Sequence, residues 1–338
     1  MDDGTQTPAA RDPNGKDPVD VEDDRSSRLL DLTSCQLHDL DSVDLPPTLT
    51  ELDLTTNRLS TLDTRIAHLS DLKKLSLRQN LLTDAAVEPL SAWHDISGLE
   101  ELVLRDNQLR KIPDVSIFKR LLVFDVSFNE ITSLNGLCRV SNTLKELYVS
   151  KNEVTKMEEI DHFHELQILE LGSNKFRVME NLQTLTNLQE LWLGRNRIKA
   201  VNLCGLTCIK KISLQSNRLT TMTGFESCIA LEELYLSHNG ISKMEGLSSL
   251  VNLHVLDVSS NKLTSVDDVQ NLTQLEDLWL NDNQIGSLEG IAEAVARSRE
   301  KLTTIYLENN PCAKSPEYLA VLRQTFPNIQ QIDSNVFS

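Results

Sequence analysis

Few side chains in this 338-residue sequence have the type and spacing for bond-making chemistry. Cys204 and Cys208 stand four residues apart, but no second pair joins them to complete a zinc site, so packing is their expected role. His162 and His164 flank Phe163; with Phe163 turned inward, both imidazoles are expected to face water, and a metal site is the weaker alternative. Asn271-Leu-Thr matches a glycosylation sequon, but it arises from a common N-L-T pattern and is expected to be unused. The sequence contains no Gly-rich phosphate loop, no C-x-x-C and no H-E-x-x-H. It nominates no catalytic residue, metal ligand or cofactor. What it does concentrate is the chemistry of recognition. At intervals of roughly one repeat stand Asp31, Asp53, Ser76, Val103, Asp125, Tyr148, Glu170, Trp192, Ser213, Tyr235, Asp257, Trp279 and Tyr306. Two of the three Trp and three of the four Tyr occupy this series in a chain that is only 4% aromatic. Such residues dominate interface hot spots. The acids among them, with Asp277 alongside, complement a basic patch. The candidate partner-binding residues are therefore Asp125, Tyr148, Glu170, Trp192, Tyr235, Asp257, Asp277, Trp279 and Tyr306. Shielding of a curved sheet is the competing role. Stacked aromatics also suit single-stranded RNA, but such grooves carry positive charge and this series is acidic.

These residues are positioned by a repeat. Leu188 to Ile198 reads LQELWLGRNRI, giving the frame L-x-x-L-x-L-x-x-N-x-[L/I]. Its Asn recurs at 57, 80, 107, 129, 152, 174, 196, 217, 239, 261, 283 and 310, and Cys35 holds that place in a degenerate first copy. Of the twelve intervals between copies seven are 22 residues, two 23, one 21 and two 27, the signature of a leucine-rich repeat solenoid. The fold class is therefore α/β, a curved horseshoe. L-x-L is period-2 alternation, so each copy predicts a short strand with Leu inward and the intervening residue outward. Successive strands stack into a parallel concave sheet. The Asn amide is expected to satisfy turn backbone groups in its own repeat and its neighbour, and the Cys35 thiol to do so weakly. The remainder of each repeat, such as ISKMEGLSSLVN, leaves room on the convex side only for short 3₁₀ turns.

Three stretches depart from this rhythm. Residues 1–26 hold eight acids against three basic residues and read as a disordered acidic tail. The array spans 27–309, and its two long intervals predict convex helices. In the first, TDAAVEPLSAWHDI, Asp84 is the N-cap candidate; the second is GIAEAVARSREKL. Residues 310–338 complete the last repeat and predict a cap, with Ser315 as N-cap, Pro316 at N1, and Tyr318, Leu319 and Leu322 on one helical face. Phe326, Ile329 and Ile332 follow as a tucked tail. The opposite end shows no comparable lid, so residues just before Ser27 are expected to cover Leu29, Leu30 and Leu32.

The net charge of −17 and pI near 4.8 argue against nucleic acid or an anionic membrane as main partner. No apolar run approaches the roughly 20 residues of a membrane span, and MDDGTQTPAARD lacks the apolar stretch of a secretory leader. The six cysteines are scattered, without the disulfide caps of secreted arrays, so a reducing intracellular compartment is expected.

The convex segments SKMEGLSSLVNL and SLEGI, together with LELGSNKF, LYLSHNGI, DLWLNDNQI and YLENNPCAKSPEY, carry a resemblance. Over about residues 27 to 338 the chain resembles the leucine-rich-repeat regulatory subunits of protein phosphatase 1, regulatory subunit 7 type. The resemblance implies a non-catalytic regulator whose concave face holds the phosphatase catalytic subunit. It implies contacts at Asp125, Tyr148, Glu170, Trp192, Asp277, Trp279 and Tyr306. Tyr148 and Trp192 stand here for Phe, Asp277 for Glu, and Asp257 for a small thiol residue. It further implies docking without the [R/K]-[V/I]-x-[F/W] motif, which this sequence lacks, a possible third inhibitor subunit, and a nuclear and cytoplasmic location. The alternative is a protein-binding scaffold of a ribonucleoprotein, as in a spliceosomal leucine-rich-repeat protein that shares the period and cap.

Overall fold

Each repeat contributes one three-residue strand, and the strands stack in chain order. The computed structural model describes residues 28–203 and 205–337. Strands β1 (Leu29–Asp31) to β13 (Thr304–Tyr306) pair in parallel, each with the next, and β14 (Gln331–Ile332) and β15 (Asn335–Val336) close the sheet, the last antiparallel. Register is uniform, so equivalent residues stand side by side: Glu190 opposes Lys211, Leu191 opposes Ile212, and Trp192 opposes Ser213. The middle residue of each strand from β2 to β13 is buried and the residues beside it face the concave side. Leucines and their substitutes form one continuous core running the length of the array.

The Asn positions build a ladder. Asn196 Oδ1 accepts from Phe176 N–H at 3.1 Å, and its Nδ2 donates to Leu171 O at 3.1 Å and Leu193 O at 3.0 Å. The same pattern runs from Asn57 (to Leu32 O and Leu54 O, from Leu37 N–H) to Asn310 (to Leu280 O and Leu307 O, from Ile285 N–H). Each leucine carbonyl is shared: Leu193 O also accepts from Asn217, and Leu171 O also accepts from Asn174. Loss of one Asn thus leaves those carbonyls partnered but strands an N–H of the preceding repeat. Asn196→Leu should therefore lower stability by about 1–3 kcal/mol through the buried Phe176 N–H alone. An unchanged midpoint in chemical denaturation would contradict that account. Cys35 makes a fragment of the pattern, its Sγ donating to Thr33 O at 3.6 Å, and it is exposed because no described repeat precedes it.

The convex side is mostly tight turns, with 3₁₀ pieces at Thr64–His68, Glu88–Ala92, His94–Ile96, Leu137–Arg139 and Pro311–Lys314. The two long intervals do hold helix, but only one turn each: α1 (Asp84–Val87) and α2 (Ile291–Ala294). The cap of α1 is Thr83, whose Oγ1 accepts from Ala86 N–H at 3.4 Å, not Asp84. Asp84 instead reaches across to accept from Arg110 N–H at 3.0 Å.

At the C-terminal end α3 (Tyr318–Thr325) begins later than Pro316 suggests, because Ser315 is used in a turn that accepts from Glu317 N–H. Tyr318, Leu322 and Phe326 are buried, whereas Leu319 is 38% exposed and does not join the capping face. Ile332 is buried in β14 and Ile329 half-buried against the core. Asp333 completes the lid. Its Oδ1 accepts from Leu307 N–H at 2.7 Å and Glu308 N–H at 2.9 Å, and its Oδ2 from the Tyr318 hydroxyl at 2.8 Å. In internal repeats the N–H equivalent to Leu307 bonds to the next strand, as Leu193 does to Ser213 O. Asp333 supplies that acceptor where the array stops.

The opposite end is open among the described residues, with Leu29 50% exposed and Leu30 and Leu32 partly buried. The expected cover before Ser27, the acidic tail and Cys204 all lie outside the described residues. Phe163 is buried as expected, but His162 is only half-exposed, its Nε2 3.0 Å from Val140 O, while His164 faces solvent. Among the described residues no group of His, Cys, Asp and Glu is placed to hold a metal, and no helix is long and apolar enough to cross a membrane.

Candidate protein-binding face

Strand pairing sets eight of the nominated residues in one unbroken line with Ser213: Asp125, Tyr148, Glu170, Trp192, Ser213, Tyr235, Asp257, Trp279 and Tyr306 stand on consecutive strands β5 to β13. With strands roughly 4.8 Å apart, the line is a continuous ribbon in which acids alternate with rings, except that Ser213 takes an acid's place and the rings of Trp279 and Tyr306 are adjacent. Asp277 lies beside it, two residues before Trp279 on the same face of β12. The alternation that turns Leu191 inward makes Glu190 and Trp192 neighbours on the concave side.

That second line was not singled out from the sequence, although period-2 alternation implies it. It anchors the rings. The Tyr148 hydroxyl donates to Glu146 Oε2 at 2.8 Å, the Tyr235 hydroxyl to Glu233 Oε2 at 2.7 Å, and Trp192 Nε1 to Glu190 Oε2 at 3.1 Å. The E-L-[Y/W] pattern therefore lays each ring back along its own strand. Lys211 joins this arrangement, with Nζ 3.2 Å from Glu233 Oε2 and 5.7 Å from the Trp192 ring centroid. Burial, reinforced by the Glu146 carboxylate, pushes the Tyr148 phenol well above its ordinary pKa; burial and Glu233 do the same to Tyr235. Both phenols remain neutral donors.

Trp279 lacks this anchor. Asp277 is one methylene shorter than glutamate, and Trp279 Nε1 is buried without a hydrogen-bond acceptor. Its ring is held by edge-to-face contact instead, 6.3 Å from Tyr235 and 5.8 Å from Tyr306 between centroids. Tyr235 and Trp279 are two strands apart, roughly 9.6 Å by sheet spacing, so their rings lean together across β11. Asp257 stands between them and is only 2% exposed. Its Oδ1 accepts from Ser259 N–H at 3.0 Å and Ser259 Oγ at 2.6 Å. The expectation that Asp257 offers its charge at the surface is corrected: it braces the turn after β11. Tyr306 closes the cluster against the cap, its hydroxyl accepting from Gln331 Nε2 at 2.6 Å.

The other nominated residues are half-buried and reachable from the concave side. Asp125 Oδ1 accepts from Ser127 N–H at 2.8 Å. Burial raises the Asp125 pKa, opposed by the Ser127 bond and by Arg105 and Arg78. Beside Asp125 at the rim, Phe128 is 40% exposed, with the Arg105 guanidinium 4.3 Å over its ring. The sequence reading passed over Phe128 because it occupies the turn position before the ladder Asn129, outside the strand alternation. The face thus offers carboxylates, flat rings and hydroxyls with no nucleophile–base pair among them. Its chemistry is binding.

Residues 229–271 and 251–293 match the family described as Leucine Rich repeats (2 copies). In sequence the chain is 76% identical over 313 residues, 93% of its own length and 95% of the other's, to Protein phosphatase 1 regulatory inhibitor subunit PPP1R7 homolog of Arabidopsis thaliana. It is 32% identical to Toll-like receptor 6 of Bos taurus over 52% of this chain and 24% of that one. Among solved structures it is similar to the functional domain of InlJ from Listeria monocytogenes, with TM-score 0.69 and 21% identity over 89% of this chain and 66% of that one. An internalin (inlF) of Listeria monocytogenes gives the same TM-score and identity over 85% of this chain and 87% of its own. These two likenesses concern the fold alone.

Proposed function

The chain belongs to the leucine-rich-repeat regulatory subunits of protein phosphatase 1, regulatory subunit 7 type, and from that membership we propose that its concave ribbon seats the phosphatase 1 catalytic subunit. It is a regulatory protein and not an enzyme. The observation that carries the docking reading is the unbroken register from Asp125 to Tyr306, which joins residues scattered over 182 positions into one surface. A basic patch on the phosphatase would meet Asp125, Glu170 and Asp277, while Tyr148, Trp192, Tyr235, Trp279 and Tyr306 supply apolar contact with polar edges. Asp257 acts from beneath by supporting its turn. Control of phosphatase activity, maturation or targeting follows from such a grip, with room for a third inhibitor subunit on the phosphatase. Presence in nucleus and cytoplasm is part of the same proposal.

The purified chain mixed with the phosphatase 1 catalytic subunit should elute as a one-to-one complex in size-exclusion chromatography with light scattering. Two separate monomer peaks at micromolar concentration would overturn the reading.

A further inference from the structure

The residues that follow the ladder asparagines leave the sheet and form the flank of the array. Over repeats seven to nine this flank is cationic, in a chain whose net charge is −17. Arg177, Arg197, Lys199 and Arg218 rim a hollow of about 420 Å³ that no carboxylate lines. Its floor is apolar, with Val178, which is 58% exposed, and Val201. None of the four cationic side chains makes a hydrogen bond or ion pair among the described residues. By contrast the nearby Lys175 is paired with Glu153. Arg195, at the turn before Asn196, adds a further exposed cation.

Free cations alone are an ordinary solvated surface. The combination with a contiguous aliphatic lining of Val178, Ala200 and Val201 in a concavity is not, because apolar surface rimmed by charged groups marks an interaction site where a lone exposed residue does not. We propose that this flank binds an acidic linear peptide of a second protein partner, with an aliphatic side chain of the peptide in the hollow and carboxylates on the rim. The sign is opposite to that of the concave ribbon, so the two faces select different partners. The lining has no aromatic ring on which a nucleobase could stack, and a small hollow fits one side chain better than it fits a bilayer surface.

The test is fluorescence anisotropy on the full-length chain. The probe is a short fluorescein-labelled peptide with two valines flanked by aspartates and glutamates. Binding should saturate, weaken as salt rises, and fall at least about tenfold in the double variant Arg177→Glu, Lys199→Glu, which removes two charge-assisted contacts. Both positions are exposed, so melting should not change. A companion peptide with serine for valine should bind several-fold more weakly. Equal binding of the companion, or binding unaffected by the double variant, would overturn the proposal. So would self-association of the chain that the double variant abolishes, or tighter variant-sensitive binding of a single-stranded oligonucleotide or an anionic vesicle. The phosphatase is absent from the assay, so its outcome is independent of the concave reading.

Discussion

Trp279→Ala should weaken phosphatase binding by about 2 kcal/mol or more, the usual hot-spot threshold, while Leu278→Ala should instead cost about 2–5 kcal/mol of folding stability. The two residues are adjacent in sequence but face opposite sides of β12: Leu278 is fully buried and Trp279 looks out. Removing the indole loses two edge-to-face contacts, worth roughly 0.5–1.5 kcal/mol each. Against this it removes a buried N–H that has no acceptor, which costs roughly 1–3 kcal/mol as it stands. The two effects offset, so the melting transition should move by no more than about 1 kcal/mol, close to an ordinary surface substitution. Trp192→Ala and Leu191→Ala form a second pair, with the difference that Trp192 is anchored on Glu190. Calorimetric affinity and thermal melting on all four variants check the assignment. Early melting of the Trp variants with normal binding would make the ribbon structural and move the interface elsewhere. Four similar variants would mean that the strand faces are assigned wrongly.

Truncation after Asn310 should be the most damaging change of all. It removes Tyr318, Leu322, Phe326 and Ile332 from the end of the core, and with them the Asp333 acceptor for Leu307 and Glu308. Phe326→Ala alone should cost about 3–5 kcal/mol. The truncated chain is expected to bind dyes that report exposed apolar surface, to associate, and to melt at a lower temperature. A monomeric truncation with an unchanged transition would show that the helix and its tail do not cap the array. Tyr318→Phe isolates the polar part, since it deletes one hydrogen bond to a charged group, worth about 1.5–3 kcal/mol.

The repeat frame was legible because one side-chain chemistry recurs: an amide that both donates and accepts is what this turn requires, and leucine spacing reports which way each strand faces. The ribbon followed from that alternation, so eight of the nine nominated residues stand where the spacing put them, half-buried on the concave side. Asp257 does not, because its burial depends on Tyr235 and Trp279 leaning over it, a ring-to-ring contact across strands that spacing does not encode. Glu146, Glu190 and Glu233 obey the same period-2 rule, each standing two residues before the ring it anchors, but their role depends on side-chain hydrogen bonds that spacing does not encode. Asp333 stands in register with Tyr306, since Gln331 and Ile332 oppose Thr304 and Ile305, and its carboxylate replaces the next strand's carbonyl as acceptor for Leu307 N–H; it is not a further copy of the ladder Asn. The helix starts misled by one to two residues, since Thr83 and Asp84, or Ser315 and Glu317, compete for the same turn and local hydrogen bonds decide between them.

The ladder also has a direction. Every Asn serves its own turn and the turn before it, and in the internal repeats the N–H that follows each strand reaches forward, as Leu193 does to Ser213 O, while the N–H that opens it reaches back, as Glu190 does to Gln167 O. A repeat is therefore finished only by its successor. On a ribosome, where the N-terminal end emerges first, the folded front must trail the newest complete turn by one repeat length throughout synthesis. The youngest repeat is always the one with stranded N–H groups, and only arrival of Asp333 closes the last of them. A premature stop anywhere in the array would release a chain with that unfinished edge permanently exposed, a ready target for chaperones and proteases.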